Sequence, residues 1–111
     1  MITIESLREF GADVDTGVKR CAGKENFYLM LVGTVDNKGF LELKEAINAK
    51  DYDKAFECAH GLKGALSNLA LTPLSEPISE MTELLRAKEE VDYSTYLEKL
   101  EAEYEKFMEM K

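Results

Sequence analysis

The sequence has no tryptophan, a single histidine, two prolines and two cysteines in 111 residues. Each scarcity removes a class of protein. Cys21 and Cys58 form no CxxC pair, so their spacing suggests neither a thiolate metal site nor a disulfide framework. Reduced thiols are expected, with Cys58 a small core residue among apolar neighbours. No apolar run approaches the length of a membrane span. Met1 is not followed by a basic segment and an apolar stretch, so no secretory leader is expected, and the reading is a free-standing cytoplasmic protein. The glycines are scattered at turns or within helices and compose no P-loop, so no ATP site and no kinase activity are expected. Basic residues are outnumbered, 14 against 22 acidic, for a net charge of −8. Such a surface repels phosphate backbones and anionic lipid, which excludes nucleic acid and membrane as partners.

Strand periodicity is also missing. Apolar residues recur at helical spacing almost throughout, and at 45% of the chain they are enough for a packed core without metal or disulfide. A short helix is predicted from Ile4 to Phe10, stopped by Gly11. Asp13 or Asp15 is placed to cap a second that runs through Val18 and Cys21 to Gly23. A third candidate spans Lys24 to Val35, with Phe27, Leu31 and Val35 on one side. Four longer segments follow. Phe40, Leu43 and Ile47 mark the first, ending near Lys50. Asp51 caps the next, from Tyr52 to about Ala70. Thr72 and Pro73 read as a cap and first-turn proline for a helix carrying Leu74, Ile78, Met81 and Leu85, which Pro77 should delay or kink. Asp92 caps the last, striped by Tyr93, Leu97, Leu100, Tyr104 and Phe107. The Glu/Lys-rich tail from Leu97 to Lys111 reads as a solvated helix face with same-face opposite charges, Glu101 and Glu105 near Lys99 and Lys106. Short connections make sequential helices antiparallel neighbours. The predicted fold is all-α, an antiparallel up-down four-helix bundle with additional short N-terminal helices, in a single domain over residues 1–111.

The chemistry concentrates in Ala59-His60-Gly61-Leu62-Lys63-Gly64. At about 100° per residue on a helix, Ala55, Cys58, Ala59, Leu62, Leu66 and Leu69 share the core face. His60, Lys63, Gly64 and Ser67 fall on the opposite face, with Phe56 one turn before His60. The only histidine is therefore predicted to face solvent. A lone surface histidine is ordinarily incidental, but its neighbours are not ordinary. Gly61 and Gly64 each cost a helix interior about 1 kcal/mol relative to alanine, a cost that a close-approaching partner would explain. Lys63 is within side-chain reach of His60. Phe56 puts an aromatic ring where a polar face is expected, as a docking surface would. A neutral imidazole can attack phosphorus through a ring nitrogen. The roughly −1.5 to −2 charge that a phosphoryl group brings needs a nearby cation, which Lys63 supplies.

This stretch, continuing through Asn68-Leu69, resembles the HxxKG signature of histidine-containing phosphotransfer domains. Gly17-Val18-Lys19-Arg20, Phe27-Tyr28-Leu29 and Leu43-Lys44-Glu45-Ala46 are similar to the family's approach to that signature. The resemblance implies that His60 is the phosphorylated residue, that Lys63 steadies the phosphoryl group and that Gly64 stays small so that a response regulator can close over the histidine. Phe56, Gly61 and Ser67 are the accompanying candidates for partner docking. The family shuttles phosphate between aspartates of response-regulator receiver domains, downstream of a sensor or hybrid histidine kinase. The magnesium ion belongs to the receiver, so no cofactor or metal is expected in this chain, and a monomeric phosphohistidine carrier is expected. Ala70 departs from the pattern where members often carry glycine, which leaves the helix's end open. Gly61 stands where threonine is common. Two rival readings are a structural helical adaptor and a metal-binding bundle built on the ExxH pair Glu57 and His60. The metal reading needs two such motifs facing inward, whereas this chain has one histidine facing out.

Overall fold

The computed structural model describes all residues, 1–111, as seven helices and no strand. They are α1 (Ile4–Phe10), α2 (Val14–Arg20), α3 (Glu25–Gly33), α4 (Lys38–Asn48), α5 (Tyr52–Asn68), α6 (Thr72–Arg86) and α7 (Ser94–Glu109). The last four form the bundle. α5 packs between α4 and α6, and α6 packs on α7. Phe40 of α4 stacks on Tyr104 of α7 at 5.0 Å, and Lys44 bonds Glu101 at 3.1 Å, which closes α7 back onto α4. Glu101 thus pairs across the bundle, and Lys106 pairs with Glu103 at 3.4 Å within α7. The four apolar stripes meet in one core, as their helical periodicity requires.

Local chemistry sets several of the helix ends. Thr3 and Ser6 form a reciprocal capping box that starts α1, and Gly11 at φ +106° ends it. Asp13 and Asp51 accept the Thr16 and Lys54 N–H groups at the starts of α2 and α5. Asp92 accepts the Ser94 N–H at 3.0 Å, although Tyr93 occupies the cap position itself. Hydrogen bonding to Ser94, from its side chain first and its backbone N–H second, holds the Asp92 carboxyl below its usual range.

Two expectations fail at α6. Its cap position is Leu71, one residue earlier than Thr72, and Thr72 is already helical. The helix also starts no later on account of Pro77, which lies buried within it. Proline at that position removes only the bond to the Pro73 carbonyl, near the helix's start. The burial of Leu74, Ile78, Met81 and Leu85 offsets a penalty of about 3 kcal/mol. A third correction concerns α3. Its buried residues are Tyr28 and Val32, while Phe27 is 45% exposed and Leu31 and Val35 are half-buried. The unbroken apolar run Phe27–Val32 has no strong amphipathic phase, so tertiary partners set the rotation.

Those partners sit at one end of the bundle. The Tyr28 hydroxyl donates to the Leu69 carbonyl at 2.8 Å. Arg20 donates to the Ser67 and Asn68 carbonyls, and the Asp13 N–H donates to Ala70 O at 2.9 Å. The N-terminal helices thereby satisfy the carbonyls that the end of α5 leaves unpaired. Phe10 meets Phe107 with ring centroids 5.9 Å apart, so α1 covers the same end. Ala70 turns the chain in the left-handed region at φ +56°, and Leu71 N–H bonds back to Leu66 O at 3.0 Å. This is a Schellman-type stop, normally a glycine position. It is the physical reason that glycine is common at this position, and an alanine there costs roughly 1–2 kcal/mol. No helix is long and apolar enough to cross a membrane.

Candidate functional site

α5 is anchored on two sides, which determines what its remaining face can do. Ala55, Ala59, Leu66 and Leu69 are buried, and Leu62 and Cys58 are half-buried beside them. Leu62 packs so closely on α4 that a Cβ on Gly39 would stand 2.7 Å from its Cδ2. Burial pushes the Cys58 thiol pKa up, which disfavours the thiolate, although the residue expected in the core lies at its edge.

With that face buried, His60 is exposed at mid-helix. Its ring stacks on Phe56 with centroids 5.7 Å apart and planes at 14°. Phe56 is half-buried, so the aromatic foreseen on this face lies against the surface and limits the orientations open to the imidazole. Gly61, Gly64 and Ser67 are all exposed. A Cβ built on Gly61 or Gly64 would have nothing within 4 Å. Packing within the chain therefore does not require either glycine.

Lys63 is close to His60 along the helix, but its ammonium reaches across to α6. It lies 3.5 Å from Glu83 Oε1, with Glu83 exposed and Lys63 half-buried. The other oxygen of Glu83 is 3.5 Å from Arg86 Nε. The Arg86 guanidinium sits over the Phe56 ring, 5.2 Å from its centroid. The site is thus a chain of contacts, from His60 through Phe56, Arg86 and Glu83 to Lys63. Sequence reasoning missed Glu83 and Arg86. Their spacing of three residues marks them as neighbours on α6, but only the α5–α6 register shows that they face the histidine's surroundings.

Glu57 and His60 are both exposed, so the ExxH pair does not face the core, and no group of three His, Cys, Asp or Glu side chains is gathered to hold a metal ion. What the arrangement offers instead is a solvent-facing imidazole, stacked on an aromatic ring that Arg86 covers, one helical turn from Lys63 and bordered by open backbone.

A family model described as Hpt domain matches residues 39–109, which spans α4 to α7 and includes the whole of α5 and α6. No curated protein and no solved structure matches the chain.

Proposed function

Because the chain belongs to the Hpt domain family, whose work is histidine phosphotransfer in phosphorelays, we propose that His60 is its phosphoryl acceptor, charged by the phosphoaspartate of one receiver domain and discharged to another. A ring nitrogen of neutral His60 attacks the phosphorus. An N–P bond forms as the P–O bond to the donor aspartate breaks, and the carboxylate leaves. Delivery to the second receiver is the reverse step at a different aspartate. Lys63 offsets the charge gained, and Gly61 and Gly64 leave room for the receiver's loops. Phe56 and Ser67 border the contact. The receiver supplies the magnesium ion, and a sensor or hybrid histidine kinase supplies the relay.

The observation that carries this reading is His60 itself, exposed at mid-helix beside two glycines that no packing explains. Residues 1–38 lie outside the matched segment but act with it as one domain, supported by the bonds from Arg20, Tyr28 and Asp13 to the end of α5. The test is transfer of label from a phosphorylated receiver domain to the wild-type chain and to His60→Gln. The wild type should gain acid-labile, alkali-stable label and the variant none, with stability changed by no more than about 0.5 kcal/mol, as for other exposed substitutions. Label retained by the variant would mean that another residue is the acceptor.

A further inference from the structure

We propose that Glu83 is the resting counter-ion of the phosphorylation site, holding Lys63 and Arg86 while His60 is free and yielding both cations to the phosphoryl group once His60 carries one. The inference rests on His60 being the acceptor and adds a residue on a different helix that sets how firmly the group is held.

The geometry supports exchange rather than a permanent brace. Glu83 divides its two oxygens, Oε1 to Lys63 and Oε2 to Arg86, each at 3.5 Å. Lys63 follows His60 by one turn of α5. Arg86 reaches Phe56, the ring that precedes His60 by one turn and stacks on it. The antiparallel register therefore places His60 at a level between the two cations, with Glu83 tying them together from α6. The charged residues bordering these contacts include Asp53, Glu57 and Lys63 on α5, Glu83 and Arg86 on α6 and Lys88 just beyond it, with Asp53, Glu57, Arg86 and Lys88 lining one depression with Phe56, while α4 meets α5 through Gly39 and Leu62.

Energetics favour release. Glu83 and Arg86 are exposed and Lys63 keeps about a third of its side chain in solvent. Exposed ion pairs are worth little, so breaking these contacts costs little. A phosphoryl group brings roughly −1.5 to −2 charges and three acceptor oxygens against the single charge of a carboxylate, so it outcompetes Glu83 for both cations. Glu83 then acts as a positioning residue. Before transfer it keeps two flexible cations beside the histidine, and after transfer it competes for them and keeps the phosphoryl group easier to pass on.

The test uses the whole chain phosphorylated by phosphoramidate, whose P–N bond breaks with loss of ammonia as the His60 N–P bond forms. The second ionisation of the phosphohistidine is followed by ³¹P NMR in the wild type and in Glu83→Gln. Releasing both cations should favour the dianion, lowering the apparent pKa by roughly 0.3 to 0.7, a two- to fivefold change that matches an exposed ion pair. The same substitution is then made in a chain carrying Lys63→Ala and Arg86→Gln. There the lowering should shrink to less than half, because Glu83 has no cation left to withhold. No lowering in the wild-type background, or an equal lowering in both backgrounds, overturns the inference and leaves His60 as acceptor. A wild-type chain that takes no phosphoryl group brings down the reading of His60, and the inference falls with it.

Discussion

Gly17 in α2 lies buried beneath the ring of Tyr28, and a Cβ there would overlap the ring carbons. Gly64 in α5 is exposed, with nothing within 4 Å of where its Cβ would stand. Both sit in helix interiors, where glycine costs about 1 kcal/mol relative to alanine. At Gly17 the protein itself accounts for that cost, because the space is filled by its own side chain. At Gly64 nothing within the chain does. The contrast extends to the regions around them. At the end of α5 the loose carbonyls are matched by Arg20, Tyr28 and the Asp13 N–H. On its outward face the polar groups are held only by exposed ion pairs and bare backbone is left open. A region complete in itself is built for stability, and a region left incomplete is built for something that arrives.

Gly17→Val should give the largest effect and fall wholly on stability. The added side chain must displace the Tyr28 ring, which is fully buried and bonded to Leu69 O. Overpacking of this kind costs about 1–3 kcal/mol, and the absence of any slack around the ring puts Gly17→Val at the upper end. Chemical denaturation would measure it. Phosphoryl acceptance by the fraction that remains folded should be unchanged, since α2 lies at the end of the bundle and away from His60. A stable Gly17→Val chain with impaired acceptance would erase the distinction between the two glycines.

Tyr28→Phe is milder. It keeps the ring over Gly17 but leaves the Leu69 carbonyl without its donor, at a cost of about 1–2 kcal/mol. The same tyrosine gives the fold a pH limit. Burial pushes its phenol up to about 12, and burial does the same for Tyr104. A phenol held neutral in the fold contributes stability that is complete below its unfolded value of about 10 and is lost as pH rises through its folded value. Wild-type stability should therefore decline between about pH 10 and 12. The gap between wild type and Tyr28→Phe should narrow over that window, while Tyr104 keeps the variant alkali-sensitive. Denaturant melts across that range would check both, and a constant gap would mean that Tyr28 does not carry its share of the limit.

Much of this contrast was legible before any coordinates. The stripes of α4, α6 and α7 are strongly phased, and their apolar residues are buried as their spacing requires. The outward phase of His60 follows from the same arithmetic on α5, where small residues such as Ala55 and Ala59 mark the core side. The rotation of α3 was not legible, because an unbroken apolar run offers several equivalent faces and the choice falls to Gly17 and Leu69, distant in sequence from Tyr28. Nor was the start of α6, where Thr72 has the chemistry of a cap but a buried Leu71 takes the position. Glu83 and Arg86 depend on the α5–α6 register, which no local pattern encodes. Ala70 was visible only as a departure, and its backbone at φ +56° supplies the meaning.

Gly64→Gln gives a smaller change in stability than Gly17→Val or Tyr28→Phe and the most information about the open face. In the free protein the position is exposed, helical and unobstructed. Glutamine is a good helix former, and replacing glycine reduces the entropy of the unfolded chain, so stability should rise by up to about 1 kcal/mol. Transfer should respond in the opposite sense. The receiver's aspartate must come within bonding distance of the phosphorus on His60, and a long side chain one turn away stands in the path of its loops. Small misplacements at a reacting centre cost large factors in rate. Phosphorylation by phosphoramidate is the internal control, because a small donor needs no docking and should charge Gly64→Gln at the wild-type rate. The variant should therefore be more stable, equally reactive toward the small donor and slower with the receiver domain. If it is more stable and equally fast with both, Gly64 is not kept small for a partner, and the contrast with Gly17 reduces to a difference in burial.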